Sequence, residues 1–372
     1  MGKRFVIIGA GILGASTAYQ LAKTGAEVII VDRRHVGQAT DAAAGIVCPW
    51  LSQRRNKKWY RLAKGGAAIY PEIVQSLAED GEADTGYARV GAISLHTEEK
   101  KLAGMKERAI KRREDAPEIG EVTLLDEHQT KEAFPVLGQE YGAVHVSGGA
   151  RVDGRKLCQA LLRGARKHGA VIVEGEAELL TEGNTISGVY VNGTSIEADM
   201  VIAASGVWMN DLLKPLGINF QVTPQKAQIM HLGLSQMDTA DWPVVMPPNN
   251  SYLLSFKNGR IVAGSTHENE AGLDNRVTAG GVHEILSKAL EAAPGLSDST
   301  IIETRVGFRP YTPGFLPVLG ELPGYEGLLL SNGLGASGLT MGPFIGSQLA
   351  KLALGQETDI DPADYDIAGA IQ

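Results

Sequence analysis

Cysteine is nearly absent from this 372-residue chain. The two residues present, Cys48 and Cys158, make neither a CxxC pair nor a disulfide framework, which fits a reducing cytoplasm. The eight histidines show no ligand-like spacing with cysteine or with one another, so no zinc site is expected. No segment supplies the ~18 consecutive apolar residues that a spanning helix requires. The expectation is a soluble, cytoplasmic protein, at most peripheral to a membrane, with no transmembrane segment. Positive charge is also short: the formal net charge is −8, and the summed field disfavours nucleic acid. One stretch runs the other way, Arg54-Arg55-Asn56-Lys57-Lys58-Trp59. It reads either as a solvated helix start or as a surface for a substrate, partner or membrane.

What is abundant is glycine, at 46 positions, beside 44% apolar and 21% charged residues. That mix belongs to a globular α/β protein with many tight turns, and the length suggests two or three domains. Lys3-Arg4 followed by an apolar run to Ala15 imitates a signal peptide, but the glycines inside the run argue against one.

Residues 4–8 read as a buried parallel strand, 15–24 as a helix stopped by Gly25, and 27–31 as a second buried strand ending on Asp32. This is a βαβ unit. Helices are expected over 65–77, 98–113, 153–168 and 343–354, and strands over 89–96, 171–173, 185–191, 195–197 and from 200 into the small residues up to Gly206. From 222 to 264 the pattern changes to strands at 222–232, 252–256 and 260–264, joined by turn chemistry such as Lys257-Asn258-Gly259. The fold class is therefore α/β. A Rossmann-type dinucleotide domain (1–85, 150–220, 305–372) is interrupted twice by an antiparallel-sheet α+β substrate domain (86–149, 221–304).

Gly9-Ala10-Gly11-Ile12-Leu13-Gly14 stands between strand and helix, and Asp32, followed by Arg33, ends the next strand. In that context GxGxxG signals a bound dinucleotide. Gly9 allows the tight turn, Gly11 lets the backbone approach the pyrophosphate at a positive helix end beside Ile12 and Leu13, and Gly14 permits close helix–strand packing. Asp32 would accept bonds from ribose hydroxyls. The fingerprint does not separate NAD from FAD.

Two further stretches speak to that choice. The first is the small-residue loop Val36 to Ile46. The second is Gly333-Leu334-Gly335-Ala336-Ser337-Gly338-Leu339-Thr340-Met341-Gly342-Pro343, a glycine-rich opening to a helix whose N-terminus favours nearby negative charge. With Ala203-Ala204-Ser205-Gly206-Val207-Trp208 and Gly307-Phe308-Arg309-Pro310, they resemble the D-amino-acid oxidase family, which includes glycine oxidases, sarcosine oxidases and bacterial D-amino-acid dehydrogenases. The resemblance implies non-covalent FAD. It places Thr40 on a phosphate, Ala44, Gly45 and Ile46 near the reactive flavin edge, and Ala177 at the adenine. Ala204, Gly206 and Gly307 line the site, and Gly335, Ala336, Ser337, Gly338, Leu339 and Thr340 lie at the flavin's pyrimidine side. Arg309 would grip a substrate carboxylate and Tyr252 would add a hydroxyl to it.

The implied reaction oxidises the C–N bond of a small amino acid, such as glycine, a D-amino acid or an N-substituted or cyclic imino acid, by hydride transfer to flavin N5. This chain departs from glycine oxidases in having Leu334 where a His is usual and Ala336 where an Arg stands, and from the dehydrogenases in having Gly314 after Thr-Pro. No cysteine lies between Glu303 and Gln372 to attach flavin, and Cys48 is a remote candidate. A nicotinamide dehydrogenase and a flavin- or RNA-modifying protein of the same fold are the rivals. The acceptor, oxygen or quinone, and homo-oligomerisation stay open.

Overall fold

In the computed structural model, residues 2–235 and 237–372 are described. The strand Arg4–Ile8, with Phe5 to Ile7 fully buried, is flanked in parallel by Glu27–Asp32 and Met200–Ala203. Val171–Glu174 and Leu328–Asn332 extend the parallel sheet outward, and Val318–Glu321 closes one edge as an antiparallel strand. Parallel strands are covered on both faces by crossover elements, which is why they read as continuous apolar runs. Ile12–Lys23, Gly154–Lys167 and Gly338–Ala353 pack together over this six-stranded sheet, joined by Lys57–Glu79. Tight spacing comes from small residues: a Cβ on Gly346 would stand 2.7 Å from the Ser16 Cβ.

The helix expected over 65–77 runs from Lys57 to Glu79. Gly65 and Gly66 lower intrinsic helicity, but tertiary packing overrides it: a Cβ on Gly66 would lie 2.0 Å from the Thr340 carbonyl oxygen, so only glycine lets the two helices meet. Asn56 caps the helix by accepting from the Trp59 amide at 2.9 Å, which puts Lys57 and Lys58 in its first turn. The final helix begins at Gly338, five residues earlier than expected.

The second sheet has eight strands, from Thr300–Tyr311 at one edge through Thr223–Gly233, Arg260–Gly264, Tyr252–Ser255, Val244–Met246, Ala92–His96 and Gly142–Val146 to Val122–Leu125. It is antiparallel except for Val244–Met246 beside Ala92–His96. Ala279–Ala292 covers one face, capped by Thr278. The architecture is α/β with a Rossmann-type domain and a separate sheet domain, as expected. The strand Thr300–Tyr311 passes position 305 without a break and stays paired to Thr223–Gly233 up to Tyr311. Among the described residues no helix is long and apolar enough to cross a membrane, and no cluster of potential metal ligands is present.

Candidate functional site

The carboxyl ends of the parallel strands open into a cavity of about 780 Å³ that continues to the face of the eight-stranded sheet. Its size falls within the range of roughly 300–1,000 Å³ usual for ligand sites. At one end Gly9 turns the chain with φ 101°, and a Cβ there would lie 2.5 Å from the Ala204 carbonyl oxygen. Gly11 opens the helix Ile12–Lys23 with no side-chain cap and no acidic residue in the first turn, so the positive helix end faces the cavity without a compensating carboxylate. The Ile12 amide donates to Thr40 Oγ1 at 2.9 Å, which draws the loop around Thr40 over the same helix end. Gly14 is absent from the lining. A Cβ there would be 1.8 Å from the Gly9 carbonyl oxygen, so its place is in helix–strand packing.

Asp32 lines the cavity with both oxygens engaged: the Ala10 amide donates to Oδ2 at 2.6 Å and the Arg34 amide to Oδ1 at 2.5 Å. The Gln38 side-chain amide reaches the same carboxylate at 3.0 Å. Arg33 pairs with Glu176 and lies over the Trp208 ring, 5.5 Å from its centroid. Ala177, Ala204 and Gly206 lie in the wall of this end, and the Asn332 side-chain amide fixes the turn by donating to the Gly206 carbonyl at 2.7 Å.

Midway, Ala44, Gly45, Ile46 and Gly307 meet the second glycine-rich opening, where Gly335, Ala336, Gly338, Leu339 and Thr340 all reach the cavity. Ser337 is the one expected residue of that run that does not. The helix it opens also lacks a side-chain cap and an acidic first turn. Thr340 Oγ1 donates to the Ile46 carbonyl at 2.8 Å, so its hydroxyl ties helix to loop and the helix amides are what face the space. Leu334 is buried and Ala336 exposed, both in the wall.

On the sheet side stand Arg309 and Tyr252. Arg309 is half-buried on the strand Thr300–Tyr311, and its guanidinium donates to Gln225 Oε1 at 2.9 Å and to Ser265 Oγ at 2.6 Å. Arg309 itself lines the cavity. Tyr252 is directly opposite Gly264 in the neighbouring strand, and a Cβ on that glycine would sit 2.5 Å from the phenol oxygen. Burial pushes the Tyr252 phenol up, against the lowering effect of nearby Arg309, so it stays a hydrogen-bond donor. Cys48 and Cys158 are buried away from the cavity wall, and burial pushes each thiol up to about 12.

Sequence reasoning missed Gln38, Gln225, Ser265, Ser331 and His267. Ser331 belongs to the wall, with its Oγ buried and without a partner. Two helix ends whose N-cap residues give no side-chain cap, with glycines at the points of closest approach, fit an extended dinucleotide. A second cavity of about 720 Å³ adjoins the first, with Asn250 and His267 in both walls. Partial burial, with the charges of Arg309 and Lys288, holds the His267 imidazole below its usual value.

Residues 4–352 match the family described as FAD dependent oxidoreductase. An uncharacterized oxidoreductase of Bacillus subtilis, YurR, is 62% identical over 99% of this chain and 100% of its own length. The glycine oxidase of Pseudomonas aeruginosa is 31% identical, with full coverage of both chains. Among solved structures, iminodiacetate oxidase from a Chelativorans species superposes with a TM-score of 0.95 at 44% identity, covering 98% of each chain.

Proposed function

The chain belongs to the FAD-dependent oxidoreductase family of the D-amino-acid oxidase type, and from that premise we propose that it oxidises the C–N bond of a small amino acid, primary or N-substituted, whose carboxylate Arg309 holds. The observation that carries this reading is the Arg309 guanidinium, braced by Gln225 and Ser265 and facing the same cavity as the glycine-rich helix ends. The similarity to iminodiacetate oxidase supports a secondary amine among the substrates.

FAD, when bound, supplies the acceptor for the hydride leaving the carbon beside nitrogen, and water then hydrolyses the resulting imine to a carbonyl and an amine. In this reading the turn at Gly9 and Gly11 and the end of the helix Ile12–Lys23 hold the pyrophosphate, Asp32 the ribose, and the wall at Ala177 the adenine. The helix opening at Gly338 holds the pyrimidine edge through its amides. Among the described residues no thiol lines the cavity, which supports FAD held without a thioether link.

Arg309 contributes a permanent cation whose fork matches a carboxylate, and Tyr252 adds a neutral O–H. Carboxylates in the wall (Asp32, Glu176, Glu178 and Asp211) come from the dinucleotide-binding side and none from the eight-stranded sheet. A substrate carboxylate therefore meets the Arg309 cation at the sheet end of the cavity, away from those acids, and its C–H bond is positioned by the carboxylate anchor.

Anaerobic bleaching of the yellow holoenzyme by a panel of amino acids tests the function. The expected result is rapid reduction by at least one α-amino acid and slow reduction by the matching decarboxylated amine. Reduction by carboxylate-free amines alone would overturn the assignment. Reoxidation under air, against reoxidation only by added quinone, separates oxygen from quinone as acceptor.

A further inference from the structure

We infer that the second cavity is a subsite for a carboxylate-bearing arm on the substrate nitrogen, so that the enzyme takes secondary amines carrying two carboxylates, one on Arg309 and one on Lys288 and His267. The inference rests on the amino-acid reading above and narrows it.

Three observations lead there. The two cavities share a wall at Asn250 and His267, which gives a substrate anchored at Arg309 a lateral space to fill. That space, about 720 Å³, is far more than a methyl group requires and is polar at the shared wall. Its cation is Lys288, on the helix Ala279–Ala292, with its side chain 30% exposed.

Lys288 is paired with Glu284 at 2.7 Å, one turn earlier on the same helix, and both line the space. A pair at that exposure is weakly held, so an incoming carboxylate can share the ammonium. His267 lies in the field of both Arg309 and Lys288. Arg309 and Lys288 act on one imidazole against Glu284, and once a carboxylate shares the ammonium, a chain with a carboxylate at each end complements the two cations. The nitrogen of such a molecule lies between its two acidic arms, so gripping both ends fixes the C–H bond between them. Asn250, with φ 59° at the tip of its turn, borders the passage without adding charge.

The test compares iminodiacetate and N-(2-carboxyethyl)glycine with the neutral-arm analogues sarcosine and N-ethylglycine, using holoenzyme and stopped-flow flavin reduction. The expected result is a preference of ~10-fold or more in kcat/KM for the carboxylate arm, carried mainly by KM. Lys288→Met should collapse the ratio of carboxylate-arm to neutral-arm kcat/KM toward unity, and Glu284→Gln, which frees the ammonium, should raise it. If sarcosine matches iminodiacetate in the wild type, or the ratio is the same in Lys288→Met, the subsite is wrong while the amino-acid reading stands. If no amino acid of either kind reduces the flavin, both fall together.

Discussion

Replacing Arg309 by alanine removes the group on which amino-acid recognition depends. The side chain is half-buried, and two of its donors are already committed to Gln225 and Ser265, so the loss concerns the donors left facing the cavity. A charge-assisted, two-point contact to a carboxylate in such a site is worth on the order of 3 kcal/mol, or ~100-fold in kcat/KM. Gln225 and Ser265 lose a partner, but Gln225 is partly exposed and Ser265 lines the cavity, so water can replace it and folding and FAD content should change little. Arg309→Lys should recover only part of the loss, because an ammonium cannot satisfy Gln225, Ser265 and a carboxylate in one plane. The assay is anaerobic flavin reduction by the best amino acid and by its decarboxylated amine, with FAD content measured on each protein. The amine should be poor in the wild type and nearly indifferent to the change. An Arg309→Ala protein that oxidises the amino acid as well as its parent would refute the reasoning and move the pocket elsewhere.

Asp32→Ala should weaken FAD retention far more than it alters the substrate preference of reconstituted enzyme, measured by flavin release on dilution. Unchanged retention would mean that the ribose is held by other groups. Gly264→Ala should displace the Tyr252 hydroxyl, which lies 2.5 Å from where the new Cβ would stand, and raise KM by ~10-fold at constant FAD content; an unchanged KM would remove Tyr252 from substrate binding. His231 is buried, and burial first, then the nearby arginines, hold its pKa at about 4 against an ordinary 6.5. Its neutral form is the folded one, so stability is full above pH 6.5 and falls as pH drops from 6.5 towards 4, because the unfolded chain takes up the proton. The cost is ~2 kcal/mol at pH 5. Denaturant titrations at pH 5 and 8 should show His231→Gln losing less stability between the two than the wild type; equal losses would assign the acid sensitivity to other groups.

The dinucleotide end of the site was legible because its signals are local. Gly9, Gly11 and Asp32 occupy one strand–helix–strand unit, and the turn and the carboxylate are dictated within about thirty residues of chain. The same locality made the strands at 4–8, 27–32 and 260–264 readable from apolar runs bounded by glycine. The bracing of Arg309 was not legible. Gln225 lies 84 residues away and Ser265 44, and both are delivered by strand pairing that sequence periodicity does not specify. His267 sits in a loop after a strand and carries no pattern of its own. The helix over 65–77 was legible but its first two turns from Lys57 were not joined to it, because Gly65-Gly66 lowers helicity until the Phe344 ring and the Thr340 carbonyl, far along the chain, demand their lack of side chains.

The strand carrying Arg309 is also fastened to the loop before Thr40. The Phe308 amide donates to the Gly37 carbonyl at 3.0 Å, and a Cβ on Gly37 would strike the Phe308 ring at 2.2 Å. Anything that slackens that loop also shifts the residue gripping the substrate, so a change at Gly37 should move cofactor retention and carboxylate recognition together. Laboratory evolution of new specificity should therefore accumulate its changes on the far wall, around Asn250 and Lys288, where no such tether makes one improvement cost the other.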